Sequence, residues 1–150
     1  MILITRPLKE SLKLKEILLE KGFNCHVNPL SAISKINQNI KLNKNYVTLV
    51  TSSRSTEALV SKKKINLSLP LLVIGQTSHR KLKVKGFKNI LYLAKDSDDL
   101  IKFISKNLLR RFNLKTFSGI NYITGTIVNS RLIKKIENLG ITIKKIIVYE

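Results

Sequence analysis

The chain has 150 residues, 43% of them hydrophobic, and a formal net charge of +19. That length fits one domain or two small ones, and the apolar share is enough for a packed core. No run approaches the roughly 18 apolar residues of a membrane span, and a single cysteine, Cys25, excludes an internal disulfide and a cysteine-built metal site.

Residues 2–5 read as a first strand. Arg6-Pro7 ends it, because proline removes a ladder donor. No charged leader precedes this apolar stretch, so a signal peptide is not expected and a cytoplasmic protein is. Residues 9–21 keep helical period on Leu12, Leu14, Ile17 and Leu18. Gly22 is placed to end that helix in a left-handed cap, with Phe23 folding back on it. Residues 24–28 form a second short strand, closed by Pro29. Residues 30–45 turn rich in Ser, Asn and Lys, and read as an inter-domain crossing or as a short irregular helix.

The next buried strand covers residues 46–50 and runs into Thr51-Ser52-Ser53. A helix on Ser55, Ala58, Leu59 and Val60 follows. Two serines at a helix start set hydroxyls and free amides at one cleft, or serve only as caps. Lys62-Lys63-Lys64 is expected to end this helix, where cations suit the dipole. The centre of the chain is Leu71-Leu72-Val73-Ile74-Gly75-Gln76-Thr77-Ser78. Its uninterrupted apolar run reads as a strand buried on both faces. Gly75 permits a tight turn, and Thr77 is expected to cap the next helix. Ligands of open α/β sheets sit beyond the carboxyl ends of strands, so chemistry is expected here; an ordinary strand-turn-helix junction is the alternative. His26 falls within a strand, while His79 falls in the first turn after Thr77.

Gly86-Phe87 repeats the earlier Lys-Gly-Phe ending, which suggests two similar units. Residues 89–93 form a strand. Ser97-Asp98-Asp99 opens a helix that runs to about residue 111. Adjacent helical carboxylates do not face each other, so Asp98 and Asp99 read as capping charges rather than a catalytic pair. A strand over residues 120–124 turns at Gly125; a helix on Leu132, Ile133, Ile136 and Leu139 ends at Gly140; a strand over residues 141–148 closes the chain. This alternation implies an α/β protein with parallel sheets covered by helices.

The positive charge has three available sources: a nucleic-acid partner, a polyanionic substrate, or the drift of an A+T-rich genome. The 22 Lys, 20 Ile and 13 Asn fit drift, and lysines spread over helices, turns and strand ends alike. Nucleic-acid binders concentrate charge on one element and interleave aromatics. Aromatics here are only 6% and dispersed, which ranks nucleic acid third.

Taken in order, these pieces resemble the uroporphyrinogen-III synthase family. Ile2-Leu3-Ile4-Thr5-Arg6-Pro7 is similar to the family's opening strand and Thr-Arg-Pro turn. Gly22-Phe23 followed by Pro29-Leu30, Thr51-Ser52-Ser53-Arg54, Val73-Ile74-Gly75-Gln76-Thr77, Gly86-Phe87 and Val148-Tyr149 match later elements. Thr124-Gly125 departs from it, since a basic residue is expected before that glycine.

The resemblance implies two flavodoxin-like parallel-sheet domains joined by a linker, the first of them incomplete. On that map residues 1–38 and 143–150 are parts of the first domain, 39–42 the linker, and 43–142 an inserted second domain. It implies closure of hydroxymethylbilane to uroporphyrinogen III with inversion of the last ring, and no metal or cofactor. Thr5, Arg6, Ser52, Ser53, Gly75 and Thr77 would then bind the polycarboxylate substrate, and Tyr149 would assist departure of its hydroxyl. A monomer, open to completion by an absent segment, is expected, with no nucleic-acid or membrane partner. Two alternatives stand beside this: an inactive truncated synthase, and a basic nucleic-acid-binding α/β module.

Overall fold

A computed structural model describes residues 1–36 and 40–150. It divides into two compact units, Met1–Lys35 and Ile36–Glu150. The expected boundary between residues 38 and 39 lies outside the described residues.

The first unit is a single β-α-β motif. Strand β1 (Ile2–Ile4) pairs in parallel with β2 (Cys25–Val27), Leu3 lying opposite His26. Helix α1 (Leu8–Glu20) crosses between them. Its C-terminus is the expected left-handed cap: Gly22 has φ 80°, its amide bonds Leu19 O at 2.9 Å, and the Phe23 amide reaches back to Leu18 O at 3.0 Å. Leu3, Leu8, Leu12, Ile17, Leu19 and Phe23 are nevertheless exposed.

The second unit holds a five-stranded, wholly parallel sheet. Its strands are β3 (Tyr46–Val50), β4 (Leu71–Ile74), β5 (Ile90–Ala94), β6 (Gly119–Gly125) and β7 (Ile143–Tyr149), in the order β5-β4-β3-β6-β7. Counted within the sheet this is 3-2-1-4-5, five strands of the doubly wound order 3-2-1-4-5-6. Every residue of β6 is buried. Helices α2 (Ser53–Val60) and α3 (Gln76–Lys85) cover one face, where Leu59 and Leu82 pack with Val50, Val73, Phe87 and Ile123. On the other face lie α4 (Ser97–Phe103), a π-helical turn (Ile104–Leu108), α5 (Leu109–Asn113) and α6 (Ser130–Glu137). There Leu100, Ile104, Leu132 and Ile136 pack with Val47, Leu49, Leu72, Ile120 and Tyr122. Odd and even residues of β3 serve opposite faces, as a period of two requires. Thr48 follows Val47 into the interior, and its Oγ1 is buried with no hydrogen bond among the described residues.

Several details depart from the sequence reading. Residues 143–149 pair with β6, Ile120 opposite Ile143, and so belong to the second unit's sheet instead of joining residues 1–35. A strand that follows a helix crossover returns most readily beside the strand it left. From residue 40 on, the expected linker is laid against the second unit. Ile40 and Leu42 pack on its core, and the Asn43 amide and carbonyl are held by Asn121 Oδ1 at 3.0 Å and Nδ2 at 2.9 Å. The expected Thr77 cap is replaced by Gly75, which stands at the N-cap of α3 with φ 91° and no side-chain cap. Since the strand turns at Gly75 itself, Thr77 already lies inside the first helical turn. Likewise α4 is capped by Asp96, one residue before Ser97, whose carboxylate accepts from the Asp98 and Asp99 amides, each at 2.9 Å. The lysine triple lies past the end of α2, and Lys62 Nζ donates to Ile40 O at 3.3 Å.

The two acids of α4 tie it to its surroundings. Asp99 Oδ2 accepts the Lys95 amide and Oδ1 the Tyr92 hydroxyl, both at 2.9 Å. The Lys95 amide, then the Tyr92 hydroxyl, hold this carboxyl below the usual aspartate range. Lys135 does the same for Asp98 through a hydrogen bond and its charge. A lowered folded pKa means stability that is fully present above the unfolded value of about 3.9 and is lost as pH falls through the folded value. The thermal midpoint is therefore expected to fall on acidification from about pH 5 to pH 2. Asp99→Asn should flatten that fall while lowering the midpoint at neutral pH. An acid limb as steep in the variant as in the parent would remove Asp99 as a contributor.

A hydroxyl cluster at the carboxyl edge of the sheet

The order of the sheet reverses at β3, with β4 and β5 on one side and β6 and β7 on the other. Such a point opens a crevice beyond the carboxyl ends of the two diverging strands. Here those ends are Val50 and Gly125.

Thr51 and Ser52 follow β3 directly. The Thr51 hydroxyl lies 3.1 Å from the hydroxyl of Tyr122, a buried residue of β6. Ser52 is the N-cap of α2, as the sequence suggests: its Oγ accepts the Ser55 amide at 3.1 Å. The same oxygen lies 2.9 Å from Ser55 Oγ and 3.3 Å from the hydroxyl of Tyr149 at the end of β7. Ser53 sits in the first turn of α2, and its hydroxyl accepts from Lys81 Nζ at 2.6 Å. Lys81 also pairs with Glu57 at 2.5 Å, so the α2–α3 seam carries a lysine tethered between a hydroxyl and a carboxylate.

Tyr149 is held on two sides. Its ring lies against Gly125, where a Cβ would come within 2.4 Å of Cε2 and 2.7 Å of Cζ. The Arg54 guanidinium carbon is 6.0 Å from the ring centroid, at the outer reach of a cation–π contact. The Thr126 amide secures the Tyr149 carbonyl at 3.0 Å.

Of the residues singled out by sequence, the structure brings Ser52 and Tyr149 into hydrogen-bonding distance and sets Ser53 beside them on α2. Gly75 and Thr77 stand beyond the neighbouring strand β4, Thr77 exposed and the start of α3 without a side-chain cap. No hydrogen bond among the described residues joins them to the Ser52–Tyr149 pair. Thr5 and Arg6 belong to the first unit. The Thr5 carbonyl accepts the Leu30 amide at 3.1 Å, and the Arg6 carbonyl accepts the Ser11 hydroxyl at 2.6 Å. The sequence reading did not single out Tyr122, Ser55 or Gly125 as site residues. Tyr122 carries the one usable signal, a tyrosine in a strand between Ile120 and Ile123, since a buried phenol needs a partner.

Chemically the edge offers hydroxyl donors, uncapped helical amides at α3, and positive charge from Arg54 and Lys81. That combination suits a ligand bearing carboxylates. Among the described residues no group of three or more His, Cys, Asp or Glu is placed to hold a metal ion, and no helix is long and apolar enough to cross a membrane.

Comparison with known proteins adds two findings. The family model described as "Uroporphyrinogen-III synthase HemD" matches residues 13–150. A mutant uroporphyrinogen III synthase from the extremely thermophilic bacterium Thermus thermophilus has a similar fold, with a TM-score of 0.68 at 13% sequence identity. The alignment covers 100% of this chain and 62% of that one, so the chain spans less than two thirds of its length. No curated protein matches the chain by sequence.

Proposed function

The chain belongs to the uroporphyrinogen-III synthase family, and on that premise we propose that it binds hydroxymethylbilane at the carboxyl edge of its five-stranded sheet and closes it to uroporphyrinogen III. The observation that carries this reading is the Tyr149 hydroxyl, seated 3.3 Å from Ser52 Oγ at the topological switch of the sheet.

The reaction asks for a donor at the terminal hydroxyl of the bilane. As the C–O bond breaks, a proton must reach the departing oxygen, which leaves as water. A neutral phenol can supply it. The azafulvene left behind is attacked through a spiro intermediate, which returns the last ring inverted. Ser53, Gly75 and Thr77 are proposed to hold the substrate's carboxylates, together with Arg54 and Lys81, and Ser52 to hold the Tyr149 hydroxyl in place. A cytoplasmic, monomeric protein goes with this reading.

Exposed apolar side chains on β1 and α1 favour a second reading, in which the chain is inactive unless completed. A two-stranded sheet depends for its stability on what packs against it. Both readings meet in one experiment. Hydroxymethylbilane is generated in situ from porphobilinogen, the protein is added, and the oxidised uroporphyrin isomers are separated. Isomer III above the spontaneous isomer I background is the expected result. Isomer I alone, from protein shown to be folded, would leave the inactive reading standing.

A further inference from the structure

Ser52 Oγ has one proton and two lone pairs, and three groups compete for them. The Ser55 amide, at 3.1 Å, can only donate and takes one lone pair. Ser55 Oγ, at 2.9 Å, is fully buried, and Ser52 Oγ is its hydrogen-bond partner among the described residues. A hydroxyl proton left unpaired in a dry interior is costly. The Ser55 proton is therefore given to Ser52 and fills the second lone pair. Among the described residues Ser52 is left with its own proton and one acceptor within reach, the Tyr149 oxygen at 3.3 Å.

We propose that buried Ser55 fixes the direction of a hydroxyl chain, from Ser55 to Ser52 to Tyr149, so that the Tyr149 oxygen accepts within the chain and its own proton is turned outward to the ligand. Ser55 and Ser52 are positioning residues on this account. They touch no reacting atom and act through the phenol. The opposite direction would let Tyr149 donate to Ser52 and Ser52 to Ser55, stranding the Ser55 proton inside. In that state the phenol would have no proton to offer a leaving hydroxyl. The inference deepens the proposed function and rests on it only for the identity of the ligand.

The test uses the full chain without ligand, labelled with tyrosine carrying carbon-13 at Cζ. Tyr149→Phe assigns the Tyr149 resonance by its disappearance. The Cζ shift responds in opposite senses to a hydrogen bond donated by the phenol and one accepted by its oxygen. Ser52→Ala is expected to move the resonance in the sense of a lost accepted bond, and Ser52→Thr, which keeps a hydroxyl, to restore it. Ser55→Ala is expected to move it toward the donating sense, because Ser52 regains a free lone pair. Should Ser55→Ala fail to fold, the two Ser52 variants carry the test alone. Movement of the Ser52→Ala resonance in the sense of a lost donated bond, or no movement, overturns the proposal. Because the readout needs no turnover, it fails separately from the function: isomer III with an unmoved resonance removes the relay alone, and the expected shifts with isomer I alone remove the function alone.

Discussion

Phe87→Ala is expected to lower the unfolding free energy of the second unit by about 3–5 kcal/mol, whereas Phe23→Ala should cost about 1 kcal/mol or less. Both residues follow a glycine in the same Lys-Gly-Phe ending. Both helices close with the same pair of bonds. The Gly86 amide bonds Lys83 O at 3.0 Å and the Phe87 amide Leu82 O at 3.1 Å, matching those at Gly22 and Phe23. Only the surroundings of the rings differ. Phe87 is 1% exposed, within the cluster of Leu59, Leu82 and Val73, while Phe23 is 50% exposed. Removing Phe87 leaves a cavity in a packed interior, and removing Phe23 leaves none. Against a typical total of about 5–15 kcal/mol, the first loss brings the unit near its limit. Urea titration of the two variants beside the parent makes the comparison. Equal costs would mean that the second unit's core is not packed as described.

That pair also shows what a sequence can and cannot carry. The helix endings were readable, because a left-handed glycine followed by an apolar residue is a local pattern. Nothing local states whether a ring will find a core. The buried strands were readable for the same reason as the caps: Leu71-Leu72-Val73-Ile74 needs no knowledge of its neighbours to be a strand. Their partners were not. Ile143–Tyr149 was expected among the parts of the first domain, and its register with β6 is a relation between residues more than twenty positions apart.

At the site, the Ser52 cap was readable because its acceptor role is fulfilled three residues later. Asp96 escaped because Ser97 is as good a cap by composition, and only the backbone direction at the helix entry chooses between them. Tyr149 came from family resemblance, and its meeting with Ser52 spans 97 positions. Gly125 looked like a turn residue. Its structural role is to be absent as a side chain, which no residue pattern announces.

Gly125→Ala is expected to abolish the seat of Tyr149 and to reduce isomer III formation as severely as Tyr149→Phe. Loss of a positioned proton donor is worth about 10²–10⁴ in rate. The added methyl would stand 2.4 Å from Cε2, 2.7 Å from Cζ and 2.9 Å from Cδ2, all well inside the roughly 3.5–4.0 Å of ordinary carbon contact. The backbone of β6 is held by β3 as far as Ile123 and by β7 as far as Gly125, so it yields less readily than a side chain. The ring must move instead, and the hydroxyl leaves Ser52. Stability should fall by about 1–3 kcal/mol, the usual cost of overpacking, so the variant stays folded and the activity loss is not a folding loss. The combined variant settles the cause. With Tyr149→Phe already in place there is no phenol to misplace, and adding Gly125→Ala should then reduce isomer III no further, whereas independent roles would multiply. A single Gly125→Ala variant that keeps isomer III within about twofold of the parent, where a tenfold change corresponds to 1.4 kcal/mol, would show that the ring's position is immaterial and would take Tyr149 out of the mechanism.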